Sequence, residues 1–142
     1  MDIIRRNTDY ALRATVELAG RFGGEPVATK DLALRCDIPY QLACKLLQRL
    51  NKARVVKSIM GPEGGFALFK NPSKITVRQV VEAVQGPVRL NRCLLNKKLC
   101  RLSSNCTISP ELGRLQKKIN AYLGGLTLRQ LSVSSGRKRR KK

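Results

Sequence analysis

Two short helical patterns follow each other almost without a break, and this joint constrains the fold more than any other feature of the chain. The first pattern is TKDLALRC and the second is PYQLACKLLQRLNKA. Between them lie only Cys36, Asp37 and Ile38, so the two helices must meet at a sharp angle. The second helix has an apolar stripe formed by Leu42, Leu46, Leu47 and Leu50. This arrangement is typical of a helix-turn-helix.

A strand pattern begins directly after the second helix. RVVKSIM is rich in β-forming residues, GPEGG supplies turn residues, and FALFK completes a hairpin. A β-hairpin that directly follows a helix-turn-helix is a wing. ITVRQVVEAVQG then predicts a further helix, capped by Thr76 and ended at Gly86.

The N-terminal stretch NTDYALRATVELAGRFGG also predicts a helix. Asn7 or Thr8 is expected to cap it, and Gly23 with Gly24 to stop it. Thr29 is expected to cap the first helix of the helix-turn-helix in the same way.

The C-terminal part contains SPELGRLQKKINAYLGGLTLRQL, with Ser109 as the expected cap. Its apolar residues are spaced alternately by three and four positions: Leu112, Leu115, Ile119, Tyr122 and Leu126. This is the seam of a helix that packs against another helix. The helix could fold back on its own domain, but the length of the seam favours a dimer. A short final helix is expected around residues 126–131, after Gly124 and Gly125.

The predicted fold class is therefore mainly α with a small β-hairpin: a winged helix-turn-helix plus a long C-terminal dimerisation helix. Residues 1–87 form the DNA-binding domain and residues 88–108 a cysteine loop. Residues 109–132 are expected to form the dimerisation helix and the short terminal helix, and residues 133–142 to form a disordered basic tail.

The charge of the chain indicates a polyanionic partner. It carries 29 Lys and Arg against 9 Asp and Glu, a net charge of +20. The terminal run RKRRKK supplies fewer than a third of these charges, so the excess belongs to the whole chain. Nucleic acid is the favoured partner, although a solvated surface or an affinity for acidic membranes would have the same composition. An enzyme is not expected, because the chain has no His and few carboxylates.

The exposed residues of the second helix are candidates for reading DNA bases. They are Tyr40, Gln41, Cys44 and Lys45; Gln41 can pair with adenine and Lys45 can donate to guanine. Arg49, Lys52, Arg54 and Lys57 are better placed to hold phosphates. Thr29 and Lys30 could also bind phosphate, because helix N-termini attract anions.

Three cysteines, Cys93, Cys100 and Cys106, occur close together in CLLNKKLCRLSSNC. No transmembrane stretch or signal peptide is recognisable, so we expect a cytoplasmic protein with reduced thiols. Thiolates select iron–sulfur clusters, zinc or Cu(I). Zinc is less well matched, since tight Cys pairs and His are missing. A redox-switchable pair or inert packing thiols remain alternatives. Cys36 is expected to be a buried small apolar residue.

These motifs in this order resemble one family. NTDYALRA, IPYQLACKLLQRLNKARVVKS, GPEGGFAL, ITVRQVVEAVQGP, three cysteines and a helix ending in LTLRQL are similar to the bacterial winged-helix regulators of the Rrf-two family, which includes IscR and NsrR. The similarity covers about residues 1 to 132. It implies a homodimeric repressor that binds a palindromic double-stranded DNA operator. It also implies wing contacts to DNA from Lys57, Ser58, Gly61 and Pro62.

The resemblance further implies an iron–sulfur cluster, of the 2Fe–2S or 4Fe–4S type, on Cys93, Cys100 and Cys106. IscR-like members have a histidine as fourth ligand where this chain has Ser109. NsrR-like members use an acidic residue of the partner subunit, and Asp9 matches that position, with Ser109, Thr107 and Glu111 as further candidates.

Two residues of this chain differ from the family pattern at positions expected to contact DNA. Met60 stands where the family often has a minor-groove arginine, and Cys44 replaces the glutamate with which IscR discriminates operators.

The implied function is a regulator that senses iron–sulfur status, iron, nitric oxide or redox conditions, with control of iron–sulfur cluster biogenesis as the favoured role. The alternatives are a nitric-oxide or thiol-redox regulator of the same fold, and a non-sensing basic RNA-binding protein.

Overall fold

The computed structural model describes residues 2–94, 96, 98, 100–102 and 104–133; the RKRRKK tail lies outside these residues. The helices are α1 (Arg6–Gly20), α2 (Thr29–Cys36), α3 (Tyr40–Lys52), α4 (Val77–Gln85) and α5 (Ile108–Gly125), and the strands are β1 (Val56–Ile59) and β2 (Gly65–Leu68). Short 3₁₀ turns occupy Pro72–Lys74 and Arg92–Leu94. A terminal helix occupies residues 128–133. The predicted fold class, mainly α with a small β-hairpin and a long C-terminal helix, is confirmed, and the part of that helix in a dimer stays a prediction.

The joint between α2 and α3 is as tight as the sequence predicts. Asp37 adopts a left-handed conformation (φ 56°, ψ 52°), which a short polar side chain tolerates better than a bulky one. The backbone amide of Ile38 then donates to the carbonyl of Ala33 at 2.9 Å and closes the end of α2. Cys36 and Ile38 are buried beside this turn, and the prediction that Cys36 is an apolar core residue is confirmed.

The wing is a two-stranded antiparallel hairpin. Val56 pairs with Leu68 and Ile59 with Gly65. Val27, just before α2, adds a bridge to Phe66 through two backbone hydrogen bonds of 2.9 Å. The wing is therefore attached to the start of the helix-turn-helix as well as to the end of α3.

The main core lies between α1, α2, α3, α4 and the base of the wing. Its fully buried side chains include Leu32, Leu47, Leu50, Val56, Leu68, Ile75 and Val80. Leu128 of the terminal helix also belongs to this core, and its amide donates to the carbonyl of Ile75 at 3.0 Å. The chain therefore returns to the DNA-binding domain after α5.

A second, smaller cluster attaches α5 to α4. It consists of buried Val77, Val81 and Val88, packed against Ile119, Leu123 and Leu126 among others. Gln116, the one buried residue of α5, accepts from the amide of Leu90 at 2.9 Å and donates to the carbonyl of Val88 at 2.7 Å. The segment that enters the cysteine loop is thus fastened to the middle of α5.

The capping predictions have mixed outcomes. Thr76 caps α4 in a full capping box with Gln79, and α4 ends at Gly86, as predicted. The prediction for α1 was wrong: α1 begins at Arg6, ends at Gly20 and has no side-chain cap. The hydroxyl of Thr8 instead donates to Gln85 Oε1 at 2.7 Å. The side chain that was predicted to cap α1 therefore binds a residue distant in the sequence.

The other two caps were also wrong. Thr29 lies inside α2, whose N-cap is Ala28. Ser109 lies inside α5, whose N-cap is Thr107.

Candidate nucleic-acid interface and cysteine site

The third helix has one buried and one exposed face. Ala43, Leu46, Leu47 and Leu50 are buried in the core. Gln41, Lys45 and Arg49 are exposed and follow one another at intervals of four residues, so they form one stripe along the helix. An amide, an ammonium and a guanidinium in this order can pair with adenine, donate to guanine and hold a phosphate.

Tyr40 and Cys44 flank this stripe and interact with each other. A hydrogen bond between the Tyr40 hydroxyl and the Cys44 side chain raises the pKa of Tyr40, with the charge of Cys44 as the second cause. The raised pKa means that the protonated phenol is the form favoured by this contact. Tyr40 presents its hydroxyl at the start of the exposed face.

The start of α2 and the wing supply further polar groups. Lys30 is exposed and Thr29 half-buried in the first turn of α2, which has no side-chain cap. Lys57, Ser58, Gly61 and Pro62 are all exposed on the wing. Met60 is 90% exposed at its tip, so this wing carries an apolar side chain where the family often has arginine.

The three cysteines of the loop are half-buried free thiols. The Sγ atom of Cys106 accepts a hydrogen bond from the backbone amide of Ser109 at 3.3 Å, at the start of α5. Amide donors of this kind are found at the sulfur ligands of iron–sulfur clusters, where they tune the cluster. In donor type and in this contact, the residues fit such a cluster.

The thiols are not gathered into one ligand set. Within the described residues, no group of three or more Cys, His, Asp or Glu is placed to hold a metal ion. Asp9 lies on α1, where its carboxylate is 2.9 Å from Arg13 Nη2 in a half-exposed ion pair. Glu111 is likewise paired with Arg114 at 2.7 Å.

The sequence analysis did not identify Gln116. The feature that could have indicated it is its position as a polar residue directly beside the apolar seam.

The predicted seam of α5 divides into two parts. Ile119 and Leu126 pack against the α4 cluster of the same chain, and Leu112 is half-buried. Leu115 and Tyr122 are 47% and 71% exposed. Helix α5 thus packs against its own domain on one side and exposes apolar side chains on the other.

The described part of the chain has no helix long and apolar enough to cross a membrane. A helix-turn-helix with a wing, a basic exposed face and a C-terminal helix with an outward apolar face defines a winged-helix DNA-binding transcriptional regulator. A family model described as an iron-dependent transcriptional regulator, Rrf2, matches residues 4–134. The chain belongs to this family, and the predicted resemblance is confirmed.

Two curated relatives are IscR proteins described as HTH-type transcriptional regulators. That of Aliivibrio salmonicida is 30% identical over 126 residues, which cover 89% of this chain and 74% of the relative. That of Yersinia pestis is 32% identical over 122 residues, which cover 86% and 74%. Because these relatives are regulators, the expectation that the chain is not an enzyme is confirmed.

Solved structures show the same fold. CymR, the global cysteine regulator of B. subtilis, superposes with a TM-score of 0.79 at 26% identity, covering 94% of this chain and 98% of CymR. The oxidised form of Staphylococcus aureus CymR matches with a TM-score of 0.73 at 20% identity, covering 93% and 96%.

Proposed function

We propose that this chain acts as a cytoplasmic homodimeric repressor at a palindromic operator, under the control of a labile iron–sulfur cluster held by Cys93, Cys100 and Cys106. Asp9 of the partner subunit is the proposed fourth ligand, and the genes of iron–sulfur cluster biogenesis are the proposed targets. Two copies of the exposed stripe on α3 would read two half-sites related by a twofold axis.

The observation that carries the proposal is the attachment of the cysteine loop to α5 at both ends. At the entry, Gln116 holds the backbone of Val88 and Leu90. At the exit, the Ser109 amide holds the sulfur of Cys106. A change in the loop therefore acts directly on α5, which also carries the outward apolar face.

Each residue of the site has a defined part in this coupling. When bound, an iron–sulfur cluster supplies a centre that responds to oxidants, nitric oxide and iron supply. Its three thiolate ligands would draw the loop together against the start of α5. Because an oxygen ligand binds iron less firmly than a thiolate, Asp9 would keep the site labile. Asp9 must first leave its ion pair with Arg13, which is half-exposed and therefore weak.

The first test is the iron and acid-labile sulfide content of protein purified without oxygen, together with its visible spectrum. The expected result is equal iron and sulfide at about two or four per chain. Cys93→Ala should lose both, whereas Cys44→Ala, which removes a thiol outside the loop, should retain both. Absence of iron and sulfide after reconstitution would overturn the cluster.

The second test links the cluster to DNA. Cluster-loaded parent protein and Cys93→Ala are compared for operator affinity and sequence preference under the same anaerobic conditions. We expect a difference in at least one of the two quantities. Equal affinity and preference would show that the loop does not control DNA binding.

A thiol-redox regulator is the second candidate function. It is favoured by two observations: in the part of the chain that the structure describes, the loop thiols are free and not gathered around a metal position, and the chain shares its fold with CymR along nearly its whole length. In that case oxidant alone should change DNA affinity in iron-free protein, and reduction should restore it.

A further inference from the structure

A basic cleft lies where the recognition helix meets the N-terminal segment, away from the wing. It has a volume of about 290 Å³ and is formed by the start of α1, the end of α4 and the exposed side of α3. Arg5 and Arg6 line it from the N-terminal segment, and Arg49 lines it from α3. No carboxylate is among its lining residues, so the cleft is strongly electropositive.

The positive charges of these three arginines are not compensated. Arg6 Nε donates to the hydroxyl of Tyr10 at 3.0 Å, and Arg49 Nη1 donates to the carbonyl of Val84 at 3.2 Å. Both partners are neutral, and in the described chain no carboxylate lies within 4.0 Å of the three guanidinium groups. Other arginines of the protein do have carboxylate partners: Arg13, Arg21, Arg35, Arg78 and Arg114.

The start of α1 carries positive side chains, although negative ones would stabilise this end of a helix. Arg5 is the N-cap and Arg6 the first helical residue, and no side chain caps the helix. Negative groups are favoured at this positive end of the helix dipole. The one acidic residue in the first turn, Asp9, is engaged by Arg13. An anion in the cleft would offset both the arginine charges and the helix end.

The cleft is held in shape by Gln85, the last residue of α4. Its Oε1 atom accepts from the backbone amide of Arg5 at 3.0 Å and from the hydroxyl of Thr8 at 2.7 Å. Its Nε2 atom donates to the carbonyl of Ile3 at 2.9 Å. The N-terminal segment is therefore fixed on α4 before any ligand arrives, which lowers the entropy cost of binding.

The position of the cleft relative to α3 identifies its ligand. Arg49 is the last member of the exposed stripe that begins at Gln41 and continues through Lys45. At 1.5 Å per residue, Arg49 lies about 12 Å along the helix from Gln41. The DNA major groove is about 12 Å wide, so a protein that places Gln41 at the base edges brings Arg49 to the bordering phosphate strand.

We propose that this cleft binds one backbone phosphate of DNA, held by the guanidinium groups of Arg5, Arg6 and Arg49 and by the free amides at the start of α1. This proposal rests on the DNA-binding function of the chain and extends the contact of the recognition helix, through Arg49, to the N-terminal segment. The contact positions the protein on the duplex and reads no sequence.

The test compares two triple variants that remove the same charge. One is Arg5→Gln/Arg6→Gln/Arg49→Gln in the cleft, and the matched control is Arg78→Gln/Arg114→Gln/Arg129→Gln elsewhere. Binding to a random-sequence DNA duplex is measured by fluorescence anisotropy at several salt concentrations. The cleft variant should lower the slope of log affinity against log salt by about one, as expected for one lost phosphate contact. The control should keep the slope of the parent protein.

A third variant, Arg5→Lys/Arg6→Lys/Arg49→Lys, keeps the positive charge and so separates an effect of charge from an effect on folding. It should retain the parent slope, and the melting temperatures of all variants identify any that fail to fold. Equal slopes for the cleft variant and the control would overturn the cleft site alone. Failure of the folded parent and the control to bind duplex DNA would overturn the DNA-binding function, and the cleft site with it.

A final arm distinguishes DNA phosphate from a free anion. Inorganic phosphate is titrated into the protein without DNA while the amide signals of Asn7 and Thr8 are followed by NMR. Weak binding, lost in the cleft variant, is expected. Saturation at low phosphate concentration together with an unchanged DNA slope would assign the cleft to a small-molecule anion instead.

Discussion

At the residue scale, a non-glycine residue occupies a conformation that favours glycine. Arg54 has φ 59°, between the end of α3 and the start of β1. Its backbone amide donates to Asn51, and the next amide, of Val55, donates to Leu50 at 2.9 Å, so this conformation closes the helix. A side chain in the left-handed region costs about 1 kcal/mol or more. Arginine at position 54 therefore lowers the stability of the fold but places a positive charge beside the recognition helix.

Arg54→Gly should therefore raise the free energy of unfolding by about 1 kcal/mol and weaken DNA binding. Urea unfolding measures the first quantity and anisotropy with duplex DNA the second. Arg54→Ala is the matched control, since it removes the charge and keeps the strained backbone; it should lose affinity without gaining stability. A glycine variant no more stable than the alanine variant would contradict the prediction.

The Tyr40–Cys44 contact makes a pH-dependent prediction. Because the folded protein raises the pKa of Tyr40 above its ordinary value, the contact favours folding fully below that ordinary pKa. Its contribution is lost as the pH rises through the raised pKa. Cys44→Ala should lower the pKa of Tyr40.

Absorbance of tyrosinate during an alkaline titration measures this pKa, in a background where Tyr10 and Tyr122 are replaced by Phe. Cys36→Ala serves as the control thiol and should leave the pKa of Tyr40 unchanged. The same titration curve for Cys44→Ala and the parent would show that the contact does not form in solution.

At the element scale, α5 is attached to its own domain on one side and exposes apolar groups on the other. Leu115 and Tyr122 lie seven residues apart on the exposed side. The double variant Leu115→Glu/Tyr122→Glu should convert the proposed dimer into a monomer without loss of helix, because neither side chain is buried within the chain.

Sedimentation measures the mass of this variant and circular dichroism its helix content. Lys117→Glu/Lys118→Glu adds two acidic groups at exposed positions of the same helix and should leave the dimer intact. A double variant that keeps the parent mass would place the dimer contact on another element.

Gln116 connects α5 to the loop entry, and its removal leaves the half-buried amide of Leu90 without its acceptor, while the carbonyl of Val88 keeps a hydrogen bond from Arg89 at 3.3 Å. Gln116→Leu should lower the free energy of unfolding by about 1–3 kcal/mol, the usual cost of unsatisfied buried polar groups. Hydrogen exchange at the Leu90 amide should become faster at the same time. Lys117→Leu changes an exposed neighbour and should affect neither quantity; slow exchange at Leu90 in the Gln116 variant would contradict the coupling.

At the scale of the whole molecule, positive charge is spread over the chain and not confined to its tail. The run RKRRKK lies outside the described residues, and its effect is predicted from charge alone. Deletion of residues 137–142 should weaken binding to all DNA sequences equally and reduce the salt slope. Competition between operator and random duplex measures both, and a loss confined to one operator would contradict the prediction.

The sequence predicts those parts of the fold that depend on near neighbours. The α2–α3 joint, the wing and the Thr76 cap are all set by residues within a few positions of each other, and all three are confirmed. The cap of α1 was wrong because Thr8 binds Gln85, a residue 77 positions away. Sequence spacing alone does not report such a long-range hydrogen bond.

The same distinction applies to the candidate site. The exposed stripe on α3 follows from helical periodicity and was predicted. The cleft of Arg5, Arg6 and Arg49 needs three elements to pack together, so no local pattern indicates it. The arrangement of the three loop thiols depends on chain folding and on what binds them, and spacing defines only their number and type.

Gly65 determines how the two DNA-contacting parts of one subunit relate to each other. A Cβ atom at this position would lie 2.3 Å from the carbonyl oxygen of Val27, so only glycine allows the wing to lie this close to the start of α2. Through this contact and the tight α2–α3 joint, we expect the wing and the recognition helix to approach DNA together. In the proposed dimer, a signal at the cysteine loop would then act less inside one such unit than between two of them. It would alter the distance and angle between the two units, and with them the operator spacing that the dimer accepts.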